Sequence, residues 1–133
     1  MKEKVKIFII DDDEIFQFIT RKSFEKLERK DDLLFFHNGE DALNYIKDSG
    51  ANDQSIPDVI FLDINMPIMD GWDFLDELGK LNISTSRTPY IYMVSSSIDD
   101  KDATKSKLYP MIKDYISKPI TDVNITEILN SFN

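Results

Sequence analysis

The sequence of 133 residues contains no cysteine and only one histidine. Without cysteine there is no disulfide framework, thiol nucleophile or thiolate metal site to consider. The single histidine, His37, is expected at the end of a strand without a catalytic duty. No stretch approaches the roughly 20 apolar residues of a membrane span, and no apolar segment of the secretory type follows Met1. We therefore expect a cytoplasmic protein that has no membrane partner.

Basic residues are also in the minority, because 16 lysines and arginines stand against 25 aspartates and glutamates, for a formal net charge of −9. A chain of this charge repels a phosphate backbone, so no direct contact with nucleic acid is expected. Most of the acidic residues are explained by solubility alone. The length predicts a single domain over residues 1–133, with no second globular unit.

The most informative stretch is an apolar run, Val59–Leu62, which ends at Asp63. Pro57 and Pro67 bound this stretch, and four consecutive apolar residues are typical of a strand that is covered on both faces of a parallel sheet. Parallel sheets place their chemistry at the carboxyl ends of their strands. Asp63 is therefore predicted to lie at the rim of a crevice and to be the reacting group.

Four further segments have the character of short strands, and each is followed by a segment with helical spacing. The four segments are Val5–Ile10, Leu33–Phe36, Tyr90–Val94 and Asp114–Ser117. Five strands in alternation with five helices predict an α/β fold, in which a doubly wound five-stranded parallel sheet carries helices on both faces.

The predicted helices differ in how well they can pack. The buried face of the first helix is expected to carry Phe16, Ile19, Ser23 and Leu27, and to be widened by Phe24. Trp72 is expected to lie off the core face of the third helix and to be partly exposed. The fourth helix, predicted over 98–108, has only scattered apolar positions among its charged residues. We expect it to dock loosely, as elements of low local stability do.

Four of the predicted strands end at polar residues that can do chemistry. Asp11 and Asp12 follow the first strand, Asp63 ends the third, Ser95 follows the fourth and Lys118 follows the fifth. In such a fold these ends lie side by side. Three converging carboxylates would repel one another and raise their own pKa values, so they need compensating positive charge. Lys118 and a divalent cation would supply it, and ligands that are all oxygen favour a hard ion such as Mg²⁺.

These residues resemble the response-regulator receiver domain of two-component signalling over nearly the full length of the chain. The motifs are Asp11-Asp12, the segment Leu62–Gly71 around Asp63, Ser95, and Lys118-Pro119. The resemblance implies a flavodoxin-like sheet with strand order 2-1-3-4-5. It also implies that Asp63 accepts a phosphoryl group from a sensor histidine kinase or a histidine phosphotransfer protein.

A magnesium site is part of what the resemblance implies. Asp12, Asp63 and the backbone carbonyl of Asn65 would ligate Mg²⁺, and Asp11 would act largely through water. A carboxylate is a weak nucleophile, so transfer to it depends on positioning and on a cation that neutralises the phosphoryl oxygens.

The remaining motif residues would hold the phosphoryl group and pass on the signal. Lys118 would pair with one phosphoryl oxygen, and the hydroxyl of Ser95 would donate a hydrogen bond to another. Tyr115 matches the aromatic residue on strand five of receivers that changes rotamer on activation. The resemblance further implies a downstream protein target that binds the fourth helix, fifth strand and fifth helix, and it allows a homodimer through the last helix.

Other functions stay open at this point. A binding module could keep the receiver fold and act without phosphorylation, although such a scaffold has no need of the complete polar set. A phosphatase or another magnesium enzyme would need a positioned general acid and a substrate pocket, and the sequence shows neither clearly. A flavin carrier of the flavodoxin type is disfavoured, because no glycine- or hydroxyl-rich phosphate loop follows the first strand.

Overall fold

The structure, a computed structural model, describes residues 4–28, 31–48, 50, 56–81, 88–96 and 100–131. In these ranges five strands alternate with five helices. The strands are β1 (Lys6–Ile10), β2 (Asp32–Phe36), β3 (Val59–Asp63), β4 (Tyr90–Ser95) and β5 (Ile112–Ser117). The helices are α1 (Glu14–Lys26), α2 (Gly39–Asp48), α3 (Gly71–Lys80), α4 (Asp100–Ser106) and α5 (Asp122–Asn130). None of the helices in the described ranges is long and apolar enough to cross a membrane.

All five strands are parallel and lie in the order β2-β1-β3-β4-β5. The register pairs Ile10 with Leu62, Asp63 with Val94, and Ser95 with Ser117. The carboxyl ends of β1, β3, β4 and β5 therefore meet at one edge of the sheet, which we call the carboxyl edge. The predicted α/β class, the parallel sheet and the strand order are confirmed.

The sheet separates two apolar cores. Successive side chains of a strand point to opposite faces, so that in β1 Phe8 and Ile10 belong to one core while Ile7 and Ile9 belong to the other. Helices α2 and α3 close the first core, and α1 and α5 close the second. Strand β3 lies in the middle of the sheet and all of its residues are buried. The carboxyl group at its end is therefore held in a largely dry setting.

The prediction that Ile19 is buried was wrong. Ile19 is 41% exposed, and the buried face of α1 instead carries the polar residues Gln17 and Thr20 between Phe16 and Phe24. The helix is rotated relative to its most apolar stripe, because Gln17 finds hydrogen-bond partners beneath the helix.

The prediction that Trp72 is partly exposed was also wrong, since only 4% of it is exposed. Its ring centroid lies 5.2 Å from that of Tyr109, and the ammonium of Lys105 lies 5.2 Å from the same indole. The hydroxyl of Tyr109 donates to Oδ1 of Asp76 at 2.8 Å. The segment around α4 therefore covers a face of α3 that helical spacing alone leaves open.

Helix α4 buries none of its side chains. The hydroxyl of Tyr115 donates to the backbone carbonyl of Asp102 at 2.7 Å, which links α4 to β5. The helix observed over Asp100–Ser106 is shorter than the predicted 98–108, of which residues 98 and 99 lie outside the described part of the chain. The absence of a buried side chain agrees with the expected loose docking.

Candidate functional site

The three carboxylates expected at the carboxyl edge lie together. Asp11 follows β1 and is 1% exposed, Asp63 ends β3 and is 4% exposed, and Asp12 is exposed to solvent. One oxygen from each of the three carboxylates lies within 4.8 Å of the other two. Three oxygen donors at this spacing fit a hard divalent cation, and Mg²⁺ is such an ion.

Lys118 brings positive charge to this cluster. Its ammonium lies 2.8 Å from Oδ2 of Asp11 and 3.7 Å from Oδ1 of Asp63. The same nitrogen lies 4.7 Å from the centroid of the Phe16 ring, a distance at which the ring face attracts a cation. The backbone N–H of Lys118 donates to the carbonyl of Ser95 at 2.9 Å, which carries the β4–β5 pairing one step further. Only 17% of the Lys118 side chain is exposed, so solvent screens these charges weakly.

Burial and mutual repulsion act on the acidity of the two buried carboxyls. Burial, and then the charge of Asp11, raise the pKa of Asp63 from 3.8 to about 7, against the opposing effects of Lys118 and the backbone N–H of Asn65. Burial also raises the pKa of Asp11, against its hydrogen bond to Lys118. Burial alone would lower the pKa of Lys118, but Asp11 raises it. Near neutral pH a proton therefore competes for Asp63, and added positive charge would favour the ionised carboxylate.

The two carboxylate oxygens of Asp11 are held from two sides, one by the β1–α1 loop and the other by Lys118. The backbone N–H of Asp13 donates to Oδ1 at 2.8 Å, while Oδ2 faces Lys118. The side chain of Asp13 points the other way and accepts hydrogen bonds from the backbone N–H groups of Ile15 and Phe16, so that it caps α1. The carboxylate of Asp11 is therefore fixed within the cluster, and Asp13 serves the helix.

The turn between β3 and α3 packs tightly against Asp63. The backbone N–H of Asn65 donates to Oδ1 of Asp63 at 3.3 Å, and the N–H of Gly71 donates to the carbonyl of Ile64 at 2.9 Å. A Cβ atom at Gly71 would lie 2.7 Å from the carbonyl oxygen of Asp63 and 3.1 Å from Cα of Ile64. Glycine is needed there for close approach. The fully exposed Ile68 in the same turn has a φ of 71°, which is unusual for a β-branched residue.

Ser95 and Tyr115 lie on the two strands beyond β3. Ser95 is the last residue of β4 and is buried, one position beyond Val94, which pairs with Asp63. Tyr115 is half-buried on β5, pairs with Met93 and reaches α4 through its hydroxyl. Ser95 therefore lies at the carboxyl edge, whereas Tyr115 connects that part of the sheet to α4. Three roles stay predictions: Ser95 as a hydrogen-bond donor to the phosphoryl group, Tyr115 as a residue that changes rotamer on activation, and the Asn65 carbonyl as a ligand of Mg²⁺.

Sequence reasoning missed two contributions of α1 to this region. Phe16 was expected only as a core residue, yet its ring lies beside the ammonium of Lys118. Gln17 was not singled out, yet its side-chain amide donates to the backbone carbonyls of Asp11 and Phe36. A signal was available, because Gln17 lies seven residues before Phe24 and helical spacing puts the two on one face.

A doubly wound parallel sheet with an acidic cluster and a lysine at its carboxyl edge is an arrangement typical of the class of receiver domains. The family described as the response regulator receiver domain matches residues 7–130, and the chain belongs to this family. A solved structure described as a two component response regulator from Cytophaga hutchinsonii has a TM-score of 0.81 and 25% identity, with 98% of this chain and 97% of that chain covered.

Curated relatives show the same similarity within longer proteins. The chain is 32% identical over 117 residues to a protein-glutamate methylesterase/protein-glutamine glutaminase of Clostridium acetobutylicum. The matched region covers 88% of this chain and 31% of the relative. The chain is also 32% identical over 123 residues to the sensor histidine kinase CheAY of Helicobacter pylori. That matched region covers 92% of this chain and 14% of the relative. The chain thus spans less than a third of the length of these two relatives.

Proposed function

We propose that this receiver domain accepts a phosphoryl group on Asp63, in a reaction that requires Mg²⁺, from a phosphohistidine of a sensor histidine kinase or a histidine phosphotransfer protein. The observation that carries the proposal is the convergence of Asp63 with Asp11, Asp12 and Lys118. Carboxylate oxygens of the three aspartates lie within 4.8 Å of one another, and the lysine ammonium lies 3.7 Å from Asp63. Membership of the receiver family supports the same function.

In this reaction Asp63 is the nucleophile. One of its carboxylate oxygens attacks the phosphorus, an O–P bond forms as the P–N bond of the donor breaks, and the imidazole leaves and takes up a proton. The product is an acyl phosphate. Because a carboxylate is a weak nucleophile, the rate depends on in-line positioning and on stabilisation of the charge on the phosphoryl oxygens. Mg²⁺, when bound, would supply Lewis-acid stabilisation of those oxygens.

Asp12, Asp63 and the backbone carbonyl of Asn65 are the proposed ligands of the cation, and Asp11 is proposed to act largely through water. The contacts of Asp11 support this division of roles. Both of its carboxylate oxygens already have partners at 2.8 Å, the backbone N–H of Asp13 and the ammonium of Lys118. Asp12 is exposed at the rim, and one of its carboxylate oxygens already lies within 4.8 Å of an oxygen of Asp63.

Lys118 and Ser95 are proposed to hold the phosphoryl group once it is on Asp63. The ammonium of Lys118 lies 2.8 Å from Oδ2 of Asp11 and 3.7 Å from Oδ1 of Asp63, within reach of a phosphoryl group on Asp63. The hydroxyl of Ser95 would donate to a second phosphoryl oxygen from the end of β4. We expect the added charge to strengthen both interactions, because hydrogen bonds to ionised acceptors are the stronger kind.

The proposed output surface consists of α4, β5 and α5. A shift of Ser95 toward a phosphoryl group would pull on the chain that leads from β4 into α4. Helix α4 has no buried side chain that would oppose such a displacement. A displacement of α4 would also change the hydrogen bond from the Tyr115 hydroxyl to the Asp102 carbonyl. The proposed partner there is a downstream protein target, and dimerisation through the last helix stays a prediction.

Exposed apolar side chains on α1 support a protein as the phosphoryl donor. Ile15, Phe18 and Ile19 are all exposed on this helix, which begins directly after the acidic loop. Exposed apolar patches on soluble proteins commonly mark sites of protein contact. A donor protein that covers these residues would bring its phosphohistidine to the carboxyl edge of the sheet.

Intact mass after incubation with acetyl phosphate tests the proposed chemistry directly. We expect wild type to gain one phosphoryl group with Mg²⁺ and none with a chelator, and Asp63→Asn to gain none in either case. Asp13→Asn is the matched control, since asparagine also caps helices well and residue 13 is outside the cluster. Phosphorylation of Asp63→Asn would refute the assignment of the acceptor. No gain in wild type would favour a binding module that acts without phosphorylation.

A further inference from the structure

Helix α1 carries a buried amide close to the acidic loop. Gln17 is 6% exposed, and its Nε2 donates to the backbone carbonyls of Asp11 at 2.9 Å and Phe36 at 3.1 Å. Burial of an amide is unfavourable unless its hydrogen bonds are made, and here both N–H groups have an acceptor. The helix therefore anchors itself to the ends of β1 and β2 through one side chain.

This amide replaces the next step of the β1–β2 ladder. The last pair in the register is Ile10 with Phe36, and the N–H of Asp11 still donates to the carbonyl of Phe36 at 3.0 Å. In a longer parallel ladder, a backbone N–H two residues after Phe36 would donate to the carbonyl of Asp11. Strand β2 has ended there and α2 begins at Gly39, so the donor to this carbonyl comes from Gln17 instead.

The carbonyl of Asp11 belongs to the peptide unit that joins Asp11 to Asp12. Because a peptide unit is planar, fixing the direction of this carbonyl also fixes the N–H and the Cα position of Asp12. Asp12 is the exposed member of the acidic cluster, so its placement depends on its backbone. A hydrogen bond to that peptide unit therefore helps to decide where the Asp12 carboxylate points.

We propose that Gln17 is a positioning residue for the cation site, which acts by fixing the peptide unit between Asp11 and Asp12. The inference rests on the proposed function, because it concerns the Mg²⁺ that this function requires. Gln17 does not contact the ion. It holds the β1–α1 loop in the form in which the carboxylate of Asp12 faces that of Asp63, so the loop loses little freedom when the ion binds.

Calorimetric titration with Mg²⁺ alone tests this role, without any phosphoryl donor. Gln17→Met keeps the length of the side chain and removes both donors. Thr20→Val is the matched control, because Thr20 is buried on the same face of α1 and its hydroxyl has no hydrogen-bond partner among the described residues. We expect Gln17→Met to raise the Kd for Mg²⁺ about tenfold, the low end of what loss of an outer hydrogen-bond partner costs a metal site. Thr20→Val should keep the wild-type Kd.

Urea unfolding of each variant separates positioning from stability. A Gln17→Met protein that is less stable but binds Mg²⁺ with the wild-type Kd when folded would show a merely structural role and overturn the proposal. If Gln17→Met does not fold, Gln17→Asn takes its place, since its amide is one methylene too short to reach the carbonyls, and the same two outcomes apply. Wild type that binds no Mg²⁺ would refute the proposed cation site itself. Weakened binding in Gln17→Met alone supports the proposal.

Discussion

Replacement of Asp63 by asparagine should stabilise this protein above neutral pH when divalent cations are absent. The carboxyl group ends a fully buried strand and is 4% exposed. Burial and the neighbouring Asp11 raise its pKa from 3.8 to about 7, even though Lys118 lies 3.7 Å away. The surroundings of Asp63 therefore disfavour its ionised form. Asparagine keeps the shape of the side chain without the charge.

The size and the sign of the effect follow from the two pKa values. In the unfolded chain Asp63 loses its proton near pH 3.8, whereas in the folded protein it keeps it until about pH 7. Between these values the folded state binds more protons, so the unfolding free energy falls as the pH rises and the lost part does not return above pH 7. The difference between the two pKa values corresponds to a loss of roughly 4 kcal/mol of unfolding free energy. This value is an upper limit, because water and ions that enter the rim weaken the repulsion on the ionised carboxylate.

Urea unfolding followed by circular dichroism measures this difference. With a chelator present, the advantage of Asp63→Asn over wild type should be small at about pH 4, grow up to about pH 7 and then level off. Mg²⁺ at about pH 8 should stabilise wild type more than the variant, since an ion that binds only the native state raises its stability by mass action. Equal stability of the two proteins above neutral pH, or an advantage that grows toward acid pH, would refute the reasoning.

Three further substitutions test the geometry around this carboxylate. Lys118→Met should lower the unfolding free energy by about 3 kcal/mol above neutral pH, because it leaves buried carboxylates unpaired, and urea titrations should show a smaller loss in acid, where these groups are protonated. Gly71→Ala should cost about 1 to 3 kcal/mol and slow phosphorylation by acetyl phosphate, because its Cβ would press on the backbone at Asp63. Gly79→Ala should instead be stabilising, because beyond its own helix backbone none of the described residues comes within 4 Å of the added Cβ. Tyr115→Phe should speed hydrogen exchange of the α4 amides about fivefold through loss of a hydrogen bond worth about 1 kcal/mol, with little change in global stability; unchanged exchange would mean that the bond does not restrain α4.

The parts of the fold that follow from local pattern could be predicted from the sequence. The run Val59–Leu62 was long enough, and apolar enough, to indicate a strand buried on both faces, and its position before Asp63 indicated which end carries polar groups. Parallel sheets bring the carboxyl ends of their strands together, so the sequence could predict that Asp11, Asp12 and Asp63 lie close to one another. The distances between their oxygens could not be predicted in this way.

The parts that depend on contacts between elements could not be predicted in this way. Hydropathy put Ile19 inside and ignored Gln17, but the carbonyls at the ends of β1 and β2 offered Gln17 partners that no helical pattern reveals. Trp72 lies off the apolar stripe of α3 and is buried because Tyr109 packs against it from a distant part of the chain. In both helices, contacts with distant parts of the chain determine which side chains are buried. The periodicity of a helix does not reveal such contacts.

The way in which α4 is tethered leaves its sequence free to vary. None of its side chains is buried, and the hydrogen bond from Tyr115 is accepted by a backbone carbonyl, a group that every amino acid supplies. Residues along the outer face of α4 can therefore be exchanged without loss of core packing or of this bond. Recognition of a new target could arise there by substitution while the acidic cluster and its chemistry stay unchanged.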